Sequence, residues 1–171
     1  DDELRVDQSG YFDQTSVDGT GADLRRDTVL TLEQIGIPVK HSHHEVGNGQ
    51  HEIDLRHMDA LTMADSVITF KVAAKEIAAA AGGHATFMPR PFGDQHGSGM
   101  HTHMSLFRGD ENAFFDADAE LHLSETGRQF IAGLMRHAAD ICLVTNQWVN
   151  SYKRLLPGLE APIFASWTTG N

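Results

Sequence analysis

The apolar positions of this chain change period several times, and each change predicts an element. Over residues 22–35, Val29, Leu32 and Ile35 recur at three-residue spacing, which sets them on one side of a helix that Gly36 stops. Pro38 leads into a strand over 39–46, Gly47-Asn48-Gly49 is a turn signal, and residues 50–56 read as the returning strand of a hairpin. Asp59 is placed to cap a long helix reaching about residue 81, with Leu61, Ala64, Ile68 and Val72 at helical spacing and Gly82-Gly83 as its end. A short strand is predicted over 85–88, a loop over 89–99 and a strand over 100–107. Ser124 opens another helix whose buried stripe is Ile131, Leu134, Met135, Ala138 and Cys142. Residues 146–161 read mostly as loop, and 162–167 begin one more strand. Hairpins, a return strand and separated helices predict an α+β fold with a mainly antiparallel sheet.

Composition narrows the function classes. With 13 basic and 24 acidic residues the net charge is −11, which argues against nucleic acid or an anionic membrane as partner. The acidity also leaves carboxylates to spare for a divalent cation. Cys142 is the single cysteine, so no internal disulfide forms and a reducing, cytoplasmic setting is expected. No apolar run approaches the roughly 20 residues of a membrane span. Asp1 opens without a signal peptide's basic start, and the chain stops at Asn171 straight after an apolar run; both ends read as cut points. Histidine is the outlier. Eleven are present, and His41, His43, His44 and His51 form one cluster while His96, His101 and His103 form another. Imidazoles grouped beside carboxylates point to metal or acid–base chemistry.

Three constellations carry that chemistry. In the predicted hairpin, alternation sets His41, His43 and Glu45 on one face of the first strand, and Glu52, Asp54 and Arg56 together on the second. A hairpin brings Glu45 and Glu52 close, and two carboxylates pressed together call for a proton or a hard cation between them. The alternative is a pair of solvated strand residues. His101 and His103 share a face of the next predicted strand, after Gly97-Ser98-Gly99, whose backbone can approach a ligand closely. Lys153-Arg154 can hold phosphate or carboxylate groups, and Glu160, between a Pro-Gly turn and Pro162, suits a general base on a moving loop. Each of the three also has a bland reading as wet surface.

Together and in order, three stretches resemble glutamine synthetases: HHEVGNGQHE at 43–52, PRPFGDQHGSGMHTHMSL at 89–106 and NSYKRLLPGLEAP at 150–162. The resemblance runs from Gly10 to Asn171, and details such as the short Glu45-to-Glu52 spacing look most like bacterial members, some of which act on polyamines. It implies a piece of one catalytic domain spanning 1–171, an incomplete, curved, mainly antiparallel sheet with flanking helices of the kind guanidino kinases share. The N-terminal β-grasp domain and the C-terminal remainder would lie outside it.

The resemblance also implies an activity: glutamate and ammonia joined at the expense of ATP through γ-glutamyl phosphate, with two or three Mg2+ or Mn2+ ions, in a homo-oligomeric ring, commonly a dodecamer. Glu45, Glu52 and His101 match metal ligands. His103, with Ser105, matches the nucleotide side. Arg154 matches the arginine that steadies the glutamate carboxylate, and Glu160 the flap residue that takes a proton as ammonia attacks. Tyr11 with Glu45 matches the ammonium site, and Gly97 a backbone contact to the amino acid. His96 stands where the family usually has an asparagine, which keeps a γ-glutamyl ligase for a larger amine open. A phosphotransferase of the same fold and a non-catalytic binding homologue are the readings from other classes.

Overall fold

A computed structural model describes residues 7–8, 10–13 and 20–169. The chain divides into two compact units, Asp1–Ser98 and Gly99–Asn171.

The first unit is two helices and a hairpin: α1 (Thr20–Gln34), β1 (Val39–His44), β2 (His51–Leu55) and α2 (Ala60–Ala80). The end of α1 is a Schellman turn. Gly36 takes φ +86°, Ile37 N–H donates to Leu32 O at 2.8 Å and Gly36 N–H donates to Glu33 O at 3.2 Å. That turn folds Ile37 back onto Leu32, and with Val39 they form the buried centre, lined by Val29, Ile53, Leu55, Phe70 and Ala73. Ile35, expected inside, is 53% exposed because the turn carries the chain past it. The same chemistry ends α2, where Gly82 takes φ +76° and Gly83 N–H reaches Ala78 O at 2.8 Å. Asp59 caps its start by accepting from Thr62 N–H at 3.1 Å, as the sequence predicts.

The face that α2 turns inward is not the predicted one. Leu61, Ile68 and Val72 are exposed, while Ser66 and Ala78 are buried and Phe70 and Ala73 meet the core. Small residues on the inner face allow α1 to approach; the helix is apolar nearly all round, so periodicity alone does not choose its face.

β1 and β2 pair antiparallel, with His41 opposite Asp54, His43 opposite Glu52 and His44 opposite His51. A bulge lies between Val39 and His41, where Val39 N–H is taken by Glu33 Oε1 at 2.6 Å.

The second unit holds a short hairpin, β3 (Phe107–Arg108) with β4 (Glu111–Asn112), then α3 (Glu125–Arg136), α4 (Ala138–Thr145) and α5 (Val149–Arg154). Ser124 Oγ caps α3 by accepting from Gly127 N–H at 3.0 Å. The single helix expected after Ser124 is two, broken at His137, whose φ −103° and ψ 13° leave the helical basin. The loop expected over 146–161 contains α5. Of the strands expected over 85–88, 100–107 and 162–167 only Phe107 lies in a ladder, in β3; the rest find no ladder partner among the described residues and run as irregular chain. A strand exists only with a neighbour. Helices beside small antiparallel sheets are the incomplete α+β arrangement expected. Among the described residues, no helix is long and apolar enough to cross a membrane.

Candidate functional site

Alternation along the hairpin sorts its polar residues by face. His41, His43 and Glu45 share one face of β1 and its extension, and register sets Asp54 and Glu52 beside them. His43, Glu45 and Glu52 each offer a donor atom within 4.8 Å of the others, and so do His41, His43 and Asp54. His43 Nε2 lies 2.9 Å from Glu45 Oε1, and Glu45 Oε2 accepts from Val46 N–H at 3.1 Å. His41 Nε2 stands 2.8 Å from Asp54 Oδ2, yet the two are not aligned as a hydrogen bond.

The electrostatics fit a cation. Burial, then the neighbouring Asp54 and Glu45, push the Glu52 carboxyl above the usual carboxylate range. His43 is buried, and its Nδ1 has no hydrogen-bond partner among the described residues. A group of carboxylate oxygens with one imidazole suits Mg2+ or Mn2+. Phe12 covers the imidazole: its ring stacks on His43 with centroids 4.4 Å apart, and Tyr11 meets His43 edge-on at 6.0 Å. Tyr11 is therefore beside His43, the imidazole that meets Glu45. Phe12 reaches this position with φ +65°, an uncommon conformation for a side chain of its size.

Gly97 joins the same unit through Gln50. The Gln50 amide nitrogen donates to Gly97 O at 3.0 Å and Ser98 Oγ at 3.2 Å, while its Oε1 accepts from Gly47 N–H at 2.9 Å. The hairpin turn thus holds the loop that carries His96 and Gly97. Gln50 lies inside the HHEVGNGQHE stretch, but only the tertiary contact reveals its task.

In the second unit, His101 and His103 are exposed and Ser105 half-buried along the irregular segment 100–106. Arg154 ends α5 with its guanidinium packed on Gly99; a Cβ there would come within 2.5 Å of the terminal nitrogen. Burial lowers the Arg154 pKa, and its buried Nε has no hydrogen-bond partner among the described residues. Glu160 follows the turn at Gly158, where φ is +89°.

The family profile for the glutamine synthetase catalytic domain matches residues 1–171. The chain belongs to the glutamine synthetase family. It is 57% identical over 166 residues to a glutamine synthetase of Mycobacterium tuberculosis, covering 97% of this chain and 37% of that protein. Among solved structures it resembles a Plasmodium falciparum glutamine synthetase with TM-score 0.84 and 36% identity, covering 94% of this chain and 31% of that one. It also resembles a GmaS–ADP complex with TM-score 0.73 and 39% identity, covering 82% of this chain and 32% of that one. The chain thus spans 31–37% of the length of each of these three proteins.

Proposed function

We propose that the protein carrying this chain is an ATP-dependent ligase that forms glutamine from glutamate and ammonia through γ-glutamyl phosphate. The observation that carries the reading is the His43–Glu45–Glu52 group, in which burial and like charge strain a carboxylate that a hard divalent cation would relieve. Glu45 and Glu52 hold one Mg2+ or Mn2+ in this reading, and His101 serves a second. Bound ions offset the charge that gathers on the phosphates as transfer proceeds.

A γ-carboxylate oxygen of glutamate attacks the terminal phosphorus of ATP, and ADP leaves with the electrons of the broken bond. Ammonia then adds to the acyl carbon and inorganic phosphate departs. Arg154 has a buried Nε without a hydrogen-bond partner among the described residues, which a carboxylate or phosphoryl oxygen would satisfy. Glu160 takes the proton that ammonia sheds. Tyr11 and Glu45 form the ammonium side, Gly97 offers its backbone to the amino acid, and His103 with Ser105 serves the nucleotide. The acyl phosphate needs shelter from water, which a loop carrying Glu160 supplies. The working form is a cytoplasmic homo-oligomeric ring.

His96 favours a second reading, a γ-glutamyl ligase for a polyamine or another amine. The test is phosphate release by the full-length protein with ATP, Mg2+ and glutamate, comparing ammonium with a panel of amines. Turnover with ammonium supports glutamine synthesis. Turnover with a larger amine alone supports the second reading, and silence across the panel sinks both in favour of a binding homologue.

A further inference from the structure

Behind the ligand face of the hairpin lies a second polar cluster. His44 and His51 are opposite each other in the register, each one residue from Glu45 or Glu52, and alternation turns them to the other face of the ribbon. Between them sits Asp7, whose side chain is 7% exposed. Its Oδ1 is 3.0 Å from His44 Nε2, and its Oδ2 is 3.3 Å from His51 Nε2, a longer and less aligned approach. Arg25 of α1 donates from its guanidinium to His51 Nδ1 at 2.8 Å and to Asp13 O at 3.3 Å. His44 Nδ1 donates to the Glu45 carbonyl at 2.5 Å.

Asp7, His44 and His51 offer three donors within 4.8 Å, which looks like a metal site. The Arg25 contact argues otherwise. A guanidinium only donates, so His51 Nδ1 must present its lone pair, and the neutral ring's proton must sit on Nε2. A nitrogen carrying a proton does not ligate a cation. The cluster is a charge network instead, with the Arg25 cation hydrogen-bonded to His51, the Asp7 anion to His44, and the two halves facing each other across the His51–Asp7 approach.

Its main-chain contacts say what it does. Asp7 O accepts from Gly49 N–H in the hairpin turn at 2.8 Å, Phe12 N–H donates to His44 O at 2.8 Å, and His44 N–H donates to Asp13 O at 2.8 Å. Asp7, Phe12 and Asp13 therefore hold the first strand of the hairpin and its turn through the main chain, and the Asp7 carboxylate faces His51 of the second. Gly21, in the first turn of α1, makes room: a Cβ there would lie 2.0 Å from Asp7 Oδ2 and 2.6 Å from His51 Nε2.

We infer that Asp7, His44, His51 and Arg25 form a positioning network that fixes the spacing of Glu45 and Glu52 for a divalent cation. The inference rests on the cation reading proposed above. Supporting groups behind a metal ligand typically govern its affinity about 10- to 100-fold.

Mn2+ alone is titrated into full-length protein, with free Mn2+ read by electron paramagnetic resonance. Glu45→Gln first identifies the binding class that depends on the hairpin; if it removes no class, the cation assignment has failed and the network's role falls with it. Given that class, Asp7→Asn is expected to weaken it at least about 10-fold, leaving other Mn2+ classes unchanged. Gly21→Ala, which disturbs the network without changing charge, is expected to do the same. Arg25→Lys keeps the cation but not its two-pronged reach; it serves if Asp7→Asn does not fold, with an expected loss of about 3-fold, below that for removing a supporting group outright. Wild-type Mn2+ affinity in a folded Asp7→Asn or Arg25→Lys variant overturns the proposal, as does an equal loss across all classes, which marks a merely structural role.

Discussion

Glu52 gives the sharpest test, because its charge is expected to hurt the metal-free fold and help the metal-bound one. Its carboxylate lies within 4.8 Å of the donor atoms of Glu45 and His43. Two unit charges at that separation repel by about 0.9 kcal/mol at the dielectric of water and about 3.5 kcal/mol at an effective value of 20. Glu52 is only half-buried, so the lower figure is nearer, on the order of 1 kcal/mol. Replacing Glu52 with Gln removes the repulsion and keeps the shape. In metal-free protein Glu52→Gln is thus expected to raise stability by about 1 kcal/mol, roughly 2–4 °C in Tm for a domain of this size.

With saturating Mn2+ the order is expected to invert. Losing a carboxylate ligand weakens the cation, and each tenfold loss removes about 1.4 kcal/mol of ligand-linked stability. The sign in pH follows from the raised carboxyl. The folded state holds a proton on Glu52 that the unfolded chain has already released, so the stabilisation is present at low pH and lost as pH rises through the folded pKa. Mn2+ binding must expel that proton, so affinity is expected to fall on acidification. The assay is a thermal melt of wild type and Glu52→Gln in chelator and in Mn2+. A variant that melts lower in both, or higher in both, refutes the idea that Glu52 is a strained carboxylate awaiting a cation.

Three further expectations concern other parts of the molecule. Burial first, partly offset by Asp7, lowers the His51 pKa to about 4, so the unfolded chain takes up a proton before the native one; stability present above pH about 6.5 is expected to fall as pH drops towards 4. The loss is on the order of 2 kcal/mol after allowance for partial exposure, and melts of His51→Gln from pH 7 to 4 should lack that slope. Leu32 is fully buried at the centre of the first unit, so Leu32→Ala is expected to cost about 3 kcal/mol, read by denaturant unfolding. Gly99→Ala drives a methyl into the Arg154 guanidinium and is expected to raise KM for glutamate several-fold with little change in the melt; an unchanged KM would argue against Arg154 as a substrate anchor.

What could be read in advance divides along a physical line. Features fixed by neighbours in sequence were legible: the Asp59 cap, the glycine stops of α1 and α2, and the alternation that groups His43, Glu45 and Glu52. Features that need a distant partner were not. The segment 100–106 has a strand's alternation, but alternation does not supply a neighbouring strand. Helix α2 has apolar residues on most sides, so its inner face was set by where α1 packs. α5 is six polar-rich residues beside a Pro-Gly turn, a composition that also suits a loop.

The candidate site divides in the same way. The proposed ligands Glu45 and Glu52 sit in one recognisable stretch, whereas Asp7 acts across 37 positions to reach His44 and Gln50 across 47 to reach Gly97. In the proposed reading both residues act on the geometry of the hairpin and its loop instead of offering a ligand themselves. A sequence motif records the atoms that touch substrate. The residues that hold those atoms at the right spacing are chosen by the fold, and their types are common enough to pass unnoticed until the chain is folded.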